Sequence, residues 1–280
     1  MKEEKQQASP QFMTTLSRTY VAIQKQRIMA TGRIGAHVRS ERLKEAEAQI
    51  LVEHLDKQIK GVEAGIKKDM QKALVGTPIY DEWFDKVKGI GPIIAGGLIG
   101  EIVDISKFEH ISNLWSWAGL GIHNGEADRR RKGMKLNWNP HAKVLCWKAG
   151  KSFVLSKGYF RTVYDEFKKH EIKMNTPYVS DRVIASMKGC RLDDGPVITE
   201  TNVKKILADN KGEILLCKSD GHLDARARRK TVKLFLGLTF MKWRELEGLT
   251  VPDPYVGVLL GHDIVRPDEV LREEEKLRTR

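Results

Sequence analysis

The chain has 280 residues, and 49 Lys and Arg against 37 Asp and Glu leave a net charge of +12. A hydrophobic share of 41% supplies at least one real core, while 31% charged residues and no apolar run near the roughly 18 that span a bilayer exclude a helical membrane protein. The polar start Met1-Lys2-Glu3-Glu4 leads into no apolar signal core, so a cytoplasmic protein without a membrane partner is expected.

Residues 11–74 contain no proline and are rich in Glu, Lys, Gln, Ala and Leu, which predicts long helix. Leu51, Leu55, Ile59, Val62, Ile66, Met70 and Ala73 step by three or four and hold one apolar stripe on a helix over 41–74. At 1.5 Å per residue that helix is about 50 Å long. It is too long to be buried on every side, so the stripe should face another helix in a hairpin or coiled-coil arm. Gly32 and Gly35 are the expected break before it, and Gly61 and Gly65 should each weaken the arm by roughly 1 kcal/mol relative to alanine.

Gly76-Thr77-Pro78 stops the arm, since glycine suits a helix end and proline cannot continue a helix interior. Short helices are then predicted over 79–87, 93–103, 113–118, 140–155 and 158–170, with no convincing strand between them. The pattern weakens over 175–221, where Asp193-Asp194-Gly195-Pro196 marks a turn. One more helix follows over 224–246, and the doubly charged stretch 267–280 is expected to fray into solvent. The fold class is therefore all-α: a helical, coiled-coil arm over 1–75, a helix-hairpin-helix domain over 76–172, a linker or insertion over 173–221, and a basic helix with a charged tail over 222–280. Cys146, Cys190 and Cys217 lie 44 and 27 residues apart, which matches neither a disulfide framework nor a zinc site, and they read as reduced and structural.

Val87-Lys88-Gly89-Ile90-Gly91-Pro92 carries the chemistry. Two glycines between apolar residues and two short helices form the pattern of a helix-hairpin-helix, whose backbone lets a phosphate approach closely. The next helix offers free N–H groups and its positive dipole end, and Pro92 suits the first helical position. Ala118-Gly119-Leu120-Gly121-Ile122 is a candidate second copy. A dinucleotide fingerprint is rejected because position 94 is Ile and no strand precedes, and a phosphate-binding loop at Gly150-Lys151-Ser152 because position 145 is Leu.

Residues 123–151 hold eight Lys and Arg against Glu126 and Asp128, half of the net charge in 29 residues. Trp138 and Trp147 are interleaved with these cations; core packing is the expected role of both, and base stacking the alternative. A second basic cluster, Arg226, Arg228, Arg229 and Lys230, opens the late helix. The residues expected to contact nucleic acid are Lys88, Gly89, Ile90, Gly91, Gly119, Gly121, Arg129, Arg130, Arg131, Lys132, Lys135, Lys143, Arg226, Arg228 and Arg229. No metal site is evident: His123, Glu126 and Asp128 read as hydrogen-bonding surface, and other acids lack metal-site spacing.

The run from Lys88-Gly-Ile-Gly-Pro to Asp104-Ile-Ser-Lys-Phe108, followed by Leu114-Trp-Ser-Trp-Ala-Gly-Leu120, resembles the C-terminal domain of the insertion-sequence 110/116/902 family of transposases. Gly89, Gly91, Glu101, Asp104, Ala118, Gly119, Leu120 and Arg129 to Lys132 stand at the matching places. The resemblance implies DNA binding and recombination, with an RNA guide as an option and assemblies joined by a coiled coil. Two departures bear on catalysis. The helical arm stands where the family's RuvC-like domain, with its four acids, would end, and no serine occurs between Ser116 and Ser152, where the family places its catalytic serine.

The expectation is thus a DNA-binding relative of these transposases, homo-oligomeric through its arm and not catalytic alone, with its catalytic residues unknown. No cofactor is expected, with magnesium required only by a nuclease activity. An active transposase completed by a domain supplied in trans, or a protein bound to structured RNA, are the alternatives.

Overall fold

The computed structural model of the protein describes residues 8–123, 126–127, 130, 132–174, 220–252 and 265–279. Its helices are α1 (Pro10–Arg39), α2 (Glu45–Leu74), α3 (Pro92–Ile102), α4 (Ile111–Trp117), α5 (Pro140–Leu155), α6 (Tyr159–Lys173), α7 (Asp220–Leu246) and α8 (Pro267–Arg278). The fold is all-α, apart from a two-residue antiparallel ladder in which Ile122 of β1 (Ile122–His123) pairs with Ala127 of β2 (Glu126–Ala127). Two compact units result: Met1–Thr162 with Thr231–Arg280, and Val163–Lys230.

In the first unit, Ser9 caps α1 by accepting the Phe12 N–H at 3.2 Å, and Pro10 fills the first helical position. α1 then runs straight through Gly32 and Gly35, so the expected break there is wrong. An interior glycine costs a helix only about 1 kcal/mol. The turn lies instead at 40–44, where Glu41 takes φ 58° and the N–H groups of Glu41 and Arg42 return to the carbonyls of Val38 and His37. That is the Schellman closure, achieved here without glycine.

α2 folds back along α1 as a hairpin, pinned by the two-pronged bond of Arg27 to Glu63 at 2.8 and 3.2 Å. Leu55, Ile59, Ile66, Met70 and Ala73 of the expected stripe are sheltered, but Leu51 and Val62 are exposed. Glu63 occupies the inward place beside Val62, where the guanidinium of Arg27 satisfies its charge.

α3 sits at the centre of this unit. Its glycines are a packing surface: an added Cβ would meet Ser17 Oγ of α1 at 2.4 Å from Gly97, and the Thr14 N and Pro10 O backbone atoms at 2.7 and 2.8 Å from Gly100. Beyond it, Phe235 of α7 centres an aromatic cluster, with rings of Trp83, Phe84, Phe153 and Phe160 between 5.2 and 6.4 Å away. Trp83 Nε1 donates to Thr239 Oγ1 at 2.9 Å, so the buried indole is satisfied. Cys146 is buried in this core, which pushes its thiol up to about 12. Cys190 and Cys217 lie outside the described residues, as does nearly all of the expected linker.

The tail does not fray. α8 buries Val270 and Glu274, and Arg278 donates to the carbonyls of Asp85 and Lys86 at 3.2 and 3.0 Å. A helical reading of 267–280 places those two buried residues four apart on one face, a signal hidden by the surrounding charges. In the second unit, Glu171 of α6 binds Arg226 and Lys230 of α7, both at 2.6 Å.

Gly100→Val should destabilise the protein by about 2 kcal/mol, since α1 backbone blocks the new side chain. Gly61 meets open space in a helix interior, so Gly61→Ala should stabilise by up to about 1 kcal/mol. Urea unfolding of both variants checks the opposite signs.

Candidate nucleic-acid interface

The first half of the expected hairpin is shorter than predicted. The helix expected over 79–87 spans 78–84 and ends in a π-helical turn, Tyr80–Phe84, closed by the Asp85 N–H to the Tyr80 carbonyl at 3.0 Å. Ile90 N–H then bonds the Val87 carbonyl at 3.2 Å, and Gly89 adopts φ 100°. Gly89 is also pressed on α5. Its carbonyl accepts Ser152 Oγ at 2.5 Å, and a Cβ would stand 3.1 Å from Ser156 Oγ and 3.2 Å from Phe153.

Gly91 differs. Its backbone is extended, at φ −94° and ψ 170°, and nothing lies within 4 Å of where a Cβ would be. It caps α3, whose Ile94 and Ala95 N–H groups both return to the Gly91 carbonyl at 3.0 Å. Pro92 follows as the first helical residue. The side of the turn that opens to its surroundings is therefore the start of α3, with its dipole. Lys88 and Ile90 flank it, Lys88 half-buried and Ile90 in the core.

α8 backs the same turn. Glu274, 1% exposed, accepts the Tyr159 N–H at 3.1 Å, and a Cβ on Gly158 would meet both Glu274 and Lys88 at 2.8 Å. Burial raises the carboxyl of Glu274 above its ordinary value, opposed by the amides of Tyr159 and Lys88 and by the charges of Arg278 and Lys88.

The second glycine pair is not a second hairpin. Gly119, at φ 68°, and Leu120 send their N–H groups to the carbonyls of Ser116 and Trp115 at 3.0 and 2.8 Å, a Schellman cap on α4. The chain then passes buried Gly121 into β1, and no helix starts at the glycines to complete the motif. Gly119 is needed for its φ and because Trp138 and Lys143 would lie 2.8 Å from a Cβ.

Of the basic run, Arg129 and Arg131 lie outside the described residues, while Arg130, Lys132 and Lys135 are exposed. Lys143 Nζ stands 4.5 Å above the Trp138 ring. Trp147 is not core: it is 56% exposed, with Lys151 Nζ 4.8 Å from its ring. Lys148 bonds Gln24 of α1, and its burial lowers its pKa, offset by Glu63. Lys107 Nζ lies 5.1 Å from the rings of both Phe108 and Trp117, at the edge of a cleft of about 460 Å³ that also includes Ser112, Asn113, Ser116 and Asn137. Burial lowers the pKa of Lys107 against the pull of Asp104 and Glu101.

Several described cations of the second unit are engaged by acids. Besides the Glu171 pairs, Arg228 contacts Asp224 at 2.7 Å, and Arg229 is half-buried on the same helix. Burial acts to raise Glu171, but the bond from Lys230 and the charge of Arg226 outweigh it and hold its pKa below the ordinary value.

Sequence reasoning missed a polar node that joins α1, α3 and α5. Glu101 accepts Arg18 Nε at 2.8 Å and Asn139 Nδ2 at 2.7 Å. Burial would raise its carboxyl, but these two bonds and the Arg18 charge win and lower it. Ser17 Oγ lies 3.1 Å from His141 Nε2 and 3.3 Å from the Ile93 carbonyl. Burial lowers the His141 pKa, the charge of Glu101 opposing it and those of Arg18 and Lys148 adding to it. Ser17 is wholly buried, so this serine and histidine tie helices together and present no nucleophile to a substrate. Asn139-Pro140 is a legible helix start; Arg18 and Ser17, far upstream, had no such signal.

No group of three or more His, Cys, Asp or Glu among the described residues could hold a metal, and no described helix is long and apolar enough to cross a membrane. The π turn, the Gly89–Gly91 turn, the Glu101 end of α3, the capped α4 and the basic α5 form one ordered series. Residues 81–165, which span that series, match the family described as Transposase IS116/IS110/IS902 family. This part of the chain is similar to the transposases of that family. No curated protein and no solved structure matches the chain.

The raised Glu274 gives a pH signature. Between its unfolded and its raised folded pKa the folded state holds the extra proton, so its stabilising effect is full below the unfolded value and is lost as pH rises through the folded one. Glu274→Gln should flatten that fall and raise the melting temperature at neutral pH. Thermal melts from pH 4 to 8 read it.

Proposed function

We propose that the protein binds DNA through its phosphate backbone and serves transposition or recombination as a relative of the insertion-sequence transposases. The observation that carries this reading is the open space at Gly91, where α3 begins with proline inside the stretch that matches the transposase family and presents the positive end of its dipole. Exposed Arg130, Lys132 and Lys135 add positive field on the same stretch. Arg226 and Arg228 contribute less than their number suggests, because acids on their own unit already neutralise them. Phosphate contacts of this kind position a protein without reading bases.

The protein acts as a binding partner and is not catalytic alone, since the segment after Leu120 holds no serine before Ser152. The hairpin of α1 and α2, with Ile28, Met29, Ile50 and Leu51 exposed on it, supports association between copies in the cytoplasm. A strand cut or a protein-linked strand on a denaturing gel with magnesium would sink the non-catalytic reading. Preference for structured RNA over duplex DNA would replace the DNA assignment.

If six phosphates are neutralised, the logarithm of the duplex affinity should fall against the logarithm of salt with a slope of about −5. A flat response removes the electrostatic interface. Gly91→Val should weaken duplex binding at least about ten-fold with the helical circular-dichroism spectrum unchanged, because its side chain enters space the fold leaves open. Unaltered affinity takes the turn out of the interface.

A further inference from the structure

α5 exposes a face that the phosphate-binding turn does not use. Lys143, Trp147 and Lys151 follow at four-residue intervals, so they share a side of the helix and rise about 12 Å from first to last. Trp147 projects from it with more than half its surface exposed. Each of two tryptophans on this path has a lysine ammonium over its ring, Lys143 on Trp138 and Lys151 on Trp147, at 4.5 and 4.8 Å.

Such a pair is a poor end state for an exposed indole. A cation over a ring at a wet surface gains only about 0.5–1 kcal/mol, while stacking of a nucleobase on an aromatic side chain contributes roughly 1–3 kcal/mol. A base arriving on the indole displaces the ammonium, and the four-carbon lysine stem lets it move to the phosphate of the same nucleotide. Ring and cation thus suit the two halves of one unpaired nucleotide. Duplex DNA cannot offer this, because its base faces are covered by their neighbours.

We propose that the Trp138–Lys151 face of the transposase-like stretch is a binding track for single-stranded DNA, with Trp147 the stacking platform and Lys143 and Lys151 its phosphate partners. It rests on the nucleic-acid reading above and adds a substrate class, DNA with an unpaired segment, held apart from the turn at Gly91. The occupant is argued from charge complementarity. Val144 and Leu155 widen the apolar part of the face, but a lysine on each successive turn does not suit burial against a second copy of the same basic chain.

The test measures anisotropy of labelled oligo(dT), which has no secondary structure, and of a labelled duplex, using the full chain. The wild type should bind both, with quenching of tryptophan emission by oligo(dT). Trp147→Ala should weaken oligo(dT) binding roughly ten-fold without changing its salt slope, and leave duplex affinity within about two-fold. Trp147→Phe should recover most of the loss, which separates stacking from altered folding. Unchanged oligo(dT) affinity in Trp147→Ala overturns the track, as does a dimer that dissociates in that variant while oligo(dT) binding persists. Wild-type binding of duplex but not oligo(dT) overturns the track alone; binding of neither overturns the function reading with it.

Discussion

Three glycines on one short helix set how close the elements of this protein can come. Gly96, Gly97 and Gly100 of α3 leave no room for a methyl group, because Met70, Ser17 with Leu145, and the start of α1 occupy the places a Cβ would take. The helical hairpin is therefore no detached arm. Its base is part of the core, and the Glu101 node bonds Arg18 of α1 to Asn139, the cap of α5, on the same helix. Widening α3 by one residue's side chain would loosen the start of the hairpin and the seat of the basic helix together.

That coupling explains how the charges are sorted. Where α6 and α7 run together, Arg226 meets Glu171 and Arg228 meets Asp224, so both stabilise their own unit. Around α4 and α5, Lys107, Lys143 and Lys151 stand over aromatic rings, those of Trp117, Trp138 and Trp147. Two basic clusters of similar density in the sequence are thus sorted differently, one onto acids and the other onto aromatic faces.

The all-α class, the bounds of α5 and the end of α2 were legible because they depend on local chemistry: proline at a helix start, glycine at an end, apolar residues three and four apart. Features set by distant residues were not. Glu41 closes α1 in place of the more obvious Gly32 or Gly35, and its signal was only the backbone pairing of Arg42 with His37. Trp147 looked like core by residue type and is exposed, because α5 turns Cys146, Ala149 and Phe153 inward. α8 was hidden by its charges, since its buried residues, Pro267, Val270 and Glu274, include one acid and a single aliphatic side chain.

The glycines of the turn show why spacing alone overstates a site. Gly89 has two internal reasons to be glycine, its φ of 100° and the pressure of Phe153 and Ser156 from α5, and either would retain it in a protein that never met a phosphate. Gly119 is explained in the same way by its cap and by Trp138. Gly91 has neither a left-handed backbone nor a neighbour within 4 Å. Within the repeated glycine pattern, the weight of a phosphate-binding reading therefore falls on one residue and the positive end of the helix that it caps. α8, bonded through Glu274 to the amide of Tyr159 behind the turn and through Arg278 to the carbonyls of Asp85 and Lys86 before it, holds that edge in place from its closed side.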